Sequence, residues 1–325
     1  ASGKLISANN YAPVNWASSI DLKTGRPIEN PDARIDKTGK SFVAAPGPGG
    51  AHNWQTMAFD PKAGLVYIPV QEAAFPYIPE ANWKSAALGF NTGIDFAAGA
   101  MPADPKIRAG AAAATKGALI AWDPVAQKER WRVAFKGPWN GGLLATAGGL
   151  VFQGNSASEF AVYDTAKGSK LWSTDVQTGI VAAPVTYSIK GEQYIAVLAG
   201  WGGSWALSPG VLSEVGGPIR NISRLLVFKL GGTGKLTPAP PLSRLPLDPP
   251  AITGTPAQIA EGARHYGRYC GTCHGDAAYG STVLPDLRRT GLLGDTKGWA
   301  TVVQDGVLKD NGMVSFANVL TRAQS

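Results

Sequence analysis

The chain has 325 residues and a formal net charge of +7, from 30 Lys and Arg against 23 Asp and Glu. That length allows two domains with substantial cores, and no apolar run approaches the ~20 residues a membrane-crossing helix needs, so a chain that spans a bilayer in that way is excluded. The basic residues are scattered, with no stripe and no recognition motif, which argues against nucleic acid and for a basic face toward an acidic protein partner.

The 41 Gly, 24 Pro and 10 Trp point to a turn-rich β protein, because Gly and Pro supply the turn geometries that many short strands require. From the N-terminus, Asp21-Leu-Lys-Thr-Gly25 and Asp60-Pro-Lys-Ala-Gly64 read as matching turns, and Leu65–Val70 as an alternating strand. The repeat is clearest further on. Ala118–Trp131 matches Glu159–Trp172, each an apolar strand, an Asp-led turn and a strand ending in Trp. Asp123 and Asp164 lie 41 residues apart, as do Trp131 and Trp172. A period near forty is the signature of a β-propeller blade, with Trp packing between blades; a β-sandwich would not fix that spacing. About four blades fit in residues 1–230, fewer than a closed ring needs, so the rest is expected on the N-terminal side. Phe75–Ala114 is long, apolar and poor in repeat signal, a candidate cover for a substrate entrance.

From Gly231 to Pro256 there are seven prolines in 26 residues, so 231–255 is a semi-rigid linker. Residues 256–325 begin with Thr255 as N-cap, Pro256 in the first turn, and Ile259, Ala263, Tyr266 and Cys270 on one helical face. The chain's two cysteines lie in Cys270-Gly-Thr-Cys273-His274. This C-x-x-C-H pattern attaches c-type haem: the thiols reach the two vinyl groups, and the His supplies an axial nitrogen. A zinc site would need two more ligands, and His52 and His265 lie at no ligand spacing; a redox pair would want a βαβ context. His265 reads as a helix-packing or solvated side chain. Met313, 39 residues after His274 in a Gly-Met loop, is the candidate second axial ligand, with core filling as the alternative. The opening at Ala1 without Met, and the end at Ser325 where a closing helix is expected, read as a portion of a longer protein.

The order of these parts resembles the quinohaemoprotein alcohol dehydrogenases. The resemblance is carried by Ser2–Asn9, Val14-Asn-Trp-Ala-Ser18, Pro46–Trp54, Pro138-Trp-Asn-Gly-Gly142, Ala199-Gly-Trp-Gly-Gly203 and the haem motif. It implies a mainly β fold, an eight-bladed β-propeller with about its C-terminal half present, followed by a small all-α cytochrome c domain. It further implies pyrroloquinoline quinone (PQQ) on the propeller axis and a calcium ion beside it. Asn53, Trp54, Trp139, Ala199 and Trp201 then match positions near PQQ, while haem c takes Cys270, Cys273, His274 and Met313. The family's adjacent cysteine pair, calcium ligands and catalytic Asp have no counterpart in this chain, so no catalytic residue is assigned; Asp21 and Asp60 belong to turns. The implied activity is oxidation of a small alcohol in the periplasm, with electrons leaving through haem to a small copper or haem protein. A polyol, polymer alcohol or heterocyclic substrate, or a pure electron relay on a propeller scaffold, are the alternatives.

Overall fold

The computed structural model describes residues 2–89, 91–101, 104–200, 222–240, 246–275, 278, 280 and 284–325. Its first part is built from antiparallel sheets. β1 (Ala17–Ile20) and β2 (Pro27–Glu29) form a hairpin, and β3 (Phe42–Ala44) pairs with β6 (Phe75–Tyr77). A four-stranded sheet follows, in the order β4 (Ala58–Asp60), β5 (Leu65–Glu72), β7 (Lys116–Asp123), β8 (Lys128–Phe135). The next is an unbroken meander of β9 (Leu143–Thr146), β10 (Leu150–Gly154), β11 (Glu159–Asp164) and β12 (Lys170–Asp175). The last has three strands, β13 (Val185–Ile189), β14 (Glu192–Ala199) and β15 (Arg224–Lys229). The antiparallel sheets follow one another along the chain, the last two as meanders, in a propeller-like arrangement.

The Asp-led turns share one local geometry. The carboxylates of Asp21, Asp60, Asp123 and Asp164 accept from the backbone N–H two residues on, at 2.8, 2.8, 3.0 and 2.9 Å. The fifth residue of each turn is left-handed: Gly25 (φ 71°), Gly64 (66°), Gln127 (52°) and Gly168 (69°). Gly suits that position because it has no Cβ to clash. The turns differ in where they sit. The Asp123 and Asp164 turns join the third and fourth strands of their sheets, but the Asp60 turn joins the first and second, β4 to β5. An Asx turn is a local device that any hairpin can use, so its motif alone does not give a strand's place in a blade.

The cores lie between sheets. Leu65, Tyr67, Leu119 and Ala121 of one four-stranded sheet pack with Leu143, Val151, Ala161 and Tyr163 of the next. Phe152, Phe160 and Val162 then pack with Ile195, Val197 and Leu226 of the three-stranded sheet. Each Leu, Val, Ile or Phe among them, fully buried, contributes about 1.5–3 kcal/mol. The repeated tryptophans sit in these seams. Trp131 stacks on Tyr67 at 5.6 Å, and its indole N–H donates to the Thr165 carbonyl of the next sheet at 3.0 Å. The Tyr67 hydroxyl donates to the same carbonyl at 3.0 Å, and burial pushes that hydroxyl up to about 12, so it remains a donor. Trp172 meets Phe228 of β15 edge-on at 5.7 Å.

After β15 the described part of 231–255 carries neither helix nor strand, as its prolines require. The C-terminal part is helical. Helix α2 (Pro256–His265) follows α1 (Pro105–Ala114) of the first part, and Thr255 and Gln258 form a reciprocal capping box at its start. A single wide turn, Tyr266–Cys270, and the short α3 (Gly271–His274) complete the haem-motif segment, and α4 (Thr296–Val303) lies beyond. The apolar face expected from Ile259 is partly covered only from His265 onward; Ile259 is 50% exposed. The first turns of α2 stand clear of the packed cluster formed by Val303, Phe316 and Leu320, which takes in Tyr269 further along.

Candidate functional site

Two regions hold the residues singled out from sequence, and the first is the haem motif. In the turn before it, the Gly271 N–H bonds back to the Tyr266 carbonyl, one residue wider than an α-turn. The Tyr266 hydroxyl donates to the Gly275 carbonyl at 2.7 Å and closes the segment on itself. Both cysteines are free thiols, Cys273 exposed and Cys270 partly covered. Burial, and secondarily Cys273, pushes the Cys270 thiol up to about 11, so it stays protonated at neutral pH.

His274 is 7% exposed, and its Nδ1 lies 3.1 Å from the Pro285 carbonyl. A carbonyl can only accept, so Nδ1 carries the proton and the Nε2 lone pair is left for a metal. Metal-binding histidines are oriented in this way by an outer partner. The carbonyl is itself held. Asp286, the next residue, takes a forked contact from Arg288 at 2.7 and 2.8 Å. Burial pushes the Asp286 carboxyl up, but the Arg288 bonds outweigh it and leave it below the ordinary value. Above the ordinary carboxylate range this fork stabilises the loop, and only acid releases it.

Met313 is half-buried beside Val303, Phe316 and Leu320, in the cluster that also takes Tyr269 and Trp299. Its loop is fixed by Gly312 (φ 94°) and by Met313 N–H bonding to the Leu308 carbonyl at 3.2 Å. His265 lies 3.4 Å from the Glu261 carboxylate and stacks against Tyr269 at 6.3 Å, a packed helix side chain. Two free thiols three apart, a following His with Nε2 available and a thioether in the same half suit covalent haem.

The second region is an open cavity of about 530 Å³ against the three-stranded sheet, lined by Trp54, Val181, Ala199, Gly200, Ser223 and Arg224 among others. It brings Trp54 and Ala199 together, although 145 positions separate them. Trp54 is 50% exposed and offers its ring to the opening. Asn53 does not enter the cavity lining. Its amide donates to the Gly49 carbonyl at 3.0 Å and its oxygen accepts from Trp54 N–H at 2.9 Å, so it shapes the loop that presents Trp54. Trp139 is half-buried beside the fully buried Asn140, which binds the Gly137 carbonyl at 3.0 Å. Gly141 and Gly142 follow where backbones touch: a Cβ on Gly141 would lie 2.9 Å from the Ala182 carbonyl oxygen. Trp201 lies outside the described residues.

Sequence reasoning missed Arg224. It lines the cavity, and its guanidinium donates to the Gln177 amide oxygen at 3.2 Å and the Val176 carbonyl at 3.5 Å behind that lining, a cation near enough to favour a planar polycarboxylate such as PQQ. Its only sequence signal is its place at the start of an apolar strand. An aromatic face, a guanidinium and close glycine backbone fit the quinone. For calcium the result differs: no group of three or more His, Cys, Asp or Glu among the described residues is arranged to hold a metal ion. Asp21 and Asp60 serve their turns, as expected.

Mainly-β, propeller-like sheets joined to a C-terminal c-type cytochrome unit define the class. A family profile described as the glucose/ethanol/alcohol dehydrogenase β-propeller domain matches residues 111–195, and one described as cbb3-type cytochrome c oxidase subunit III matches 257–324. Quinohaemoprotein alcohol dehydrogenase ADH IIB of Pseudomonas putida is 43% identical over 320 residues, 98% of this chain and 44% of that protein. Lupanine 17-hydroxylase [cytochrome c] of a Pseudomonas species is 40% identical over 98% of this chain and 44% of its own length. Among solved structures, quinohaemoprotein alcohol dehydrogenase ADHIIG of Pseudomonas putida superposes with TM-score 0.86 at 37% identity, over 99% of this chain and 47% of that one. Along nearly all of its own length the chain is similar to quinohaemoprotein alcohol dehydrogenases, and it spans less than half the length of these relatives.

Proposed function

We propose that the protein carrying this chain is a PQQ-dependent alcohol dehydrogenase that sends its substrate's electrons to its own covalent haem c and then to an external acceptor. The observation that carries this reading is the Cys270/Cys273/His274 set, with its imidazole oriented by Pro285, on a chain whose sheets match a PQQ propeller. When bound, PQQ takes up the two electrons and two protons that an alcohol loses on becoming an aldehyde, and haem c carries electrons singly as ferric iron becomes ferrous.

This chain's residues hold and screen those groups. Cys270 and Cys273 would bond the haem edge, His274 and Met313 its iron, and Trp54, Ala199 and Arg224 one side of the quinone, with Trp139 and Trp201 assigned to it by the resemblance alone. Calcium, an eight-bladed ring and a periplasmic location complete the proposal. The location rests on haem attachment to CxxCH taking place outside the cytoplasm. A calcium ion would act as a Lewis acid, but no described residue is assigned to it. The +7 charge favours an acidic acceptor, a small copper or haem protein. One observation favours a second substrate class: the relative named for lupanine hydroxylation matches nearly the whole chain.

Dye-linked oxidation tests the enzyme half. Adding PQQ and calcium to the cofactor-free full protein is expected to switch on dye reduction by short primary alcohols. If lupanine drives it and alcohols do not, the second class is correct. Dye reduction by neither, with PQQ bound, contradicts the dehydrogenase reading.

A further inference from the structure

Resting on the haem-linked reading above, we infer that segment 78–97 is a docking saddle for the haem-bearing turn, and that Arg268 is its latch. Residue 268 lies two positions before Cys270, in the wide turn Tyr266–Cys270. Its guanidinium donates to the Glu80 carboxylate at 3.2 Å and to the Lys84 carbonyl, reaching back 188 and 184 positions. The two side chains are only 20% and 25% exposed. A fork binding one carboxylate and one carbonyl fixes orientation as well as distance, which Lys could not do.

Backbone contacts on either side of Arg268 show that this is a fitted seam. A Cβ on Gly267 would lie 2.9 Å from the Ala97 amide nitrogen, so the two chains meet backbone to backbone there. Gly89, left-handed at φ 92°, faces the Arg268 carbonyl, where a Cβ would come within 2.9 Å. Leu88 adds an apolar contact, packing with Val303, Phe316, Leu320 and Met313.

The saddle is firm on its own side. Glu80 N–H bonds to the Gly93 carbonyl at 2.9 Å and Asp95 N–H to the Ile78 carbonyl at 2.8 Å, which makes a short ladder under the latch. Asp95 also accepts from Ala98 N–H at 2.8 Å. The whole segment is inserted between β5 and β7, paired neighbours in one blade, so it is anchored at both ends. The other connection between propeller and haem is 231–255, without helix or strand in its described part. The saddle, not the linker, therefore sets where the haem stands. Phe75–Ala114 is expected from sequence as a cover for a substrate entrance; within it Glu80, Lys84, Gly89 and Ala97 lie against the haem-bearing turn.

In this account Arg268 is a positioning residue: it touches neither substrate nor cofactor in its role, and acts through the turn that carries Cys270. The test uses the full protein loaded with PQQ and haem, in Arg268→Ala, Arg268→Lys and Glu80→Gln forms. Three quantities are read: dye-linked substrate oxidation, stopped-flow reduction of haem by substrate, and amide exchange across 78–97. With the latch broken, exchange is expected to quicken roughly tenfold and haem reduction to slow by a similar factor, as truncating one partner of a covered charge pair does to a docked state. Dye-linked oxidation should be unchanged, and Arg268→Lys should recover only part of the loss. Wild-type haem reduction and exchange in Glu80→Gln overturn the inference, even if Arg268→Ala attaches haem poorly. If the wild type reduces neither dye nor haem, the functional reading has failed, and unchanged exchange in Arg268→Ala and Glu80→Gln would still overturn the latch.

Discussion

A His274→Ala protein is expected to lose the sharp ferrous bands of c-type haem, while PQQ-linked dye reduction survives. The imidazole is the axial donor that neither remaining histidine can replace. His52 Nδ1 is 3.0 Å from the Pro69 carbonyl in the first part of the chain, and His265 is packed on Tyr269 against Glu261. Removing a ligand, and not its outer partner, abolishes the site where losing the partner would weaken it by about 10–100-fold. The reduced visible spectrum and total covalent haem check this together. Persistence of the low-spin bands would mean that another side chain ligates the iron, and the assignment of His274 would fall.

Trp131→Ala is expected to be the most destabilising change in the propeller seam, by about 3 kcal/mol, the lower end of the range for deleting a large aromatic, since the ring is not fully covered. Two contacts disappear at once: the stack on Tyr67 at 5.6 Å and the indole bond to the Thr165 carbonyl at 3.0 Å. A third loss is at Gly168, which the ring approaches so closely that a Cβ there would stand 2.6 Å from it. Trp131→Phe keeps the stack and loses the bond, and is expected to cost about 1 kcal/mol. Scanning calorimetry of the full protein measures both. Equal losses would show that the indole bond, and not the ring's area, ties the two sheets.

The repeat was legible because its parts are local. Asp123 and Asp164 show in sequence as turn-formers, and Trp131 and Trp172 at a fixed spacing can only be a packing device. The haem set was legible for the same reason, since Cys270, Cys273 and His274 are covalent neighbours whose chemistry depends on spacing. What stayed hidden depends on contacts between distant parts of the chain. Asp60 sits in an identical turn at a different place in its sheet, and nothing in five residues distinguishes the two. Asn53 reads as a cofactor neighbour from its pair with Trp54, and only the fold shows that one of its amide N–H groups goes to the Gly49 carbonyl. Arg224 looks like any strand residue until the fold brings it beside Trp54. The partnership of Arg268 with Glu80 spans 188 positions, and two ordinary charged residues at that separation carry no pattern to read.

The central claim is that electrons from an oxidised substrate reach the haem bonded at Cys270 and Cys273. The most direct measurement is the visible spectrum of the full protein, loaded with PQQ and calcium, before and after adding a short primary alcohol without any dye. Appearance of the ferrous c-type bands within a turnover, absent when PQQ is withheld, is the predicted result. If dithionite produces those bands while no alcohol or heterocyclic substrate does, the haem is sound but disconnected from substrate oxidation, and the account is contradicted.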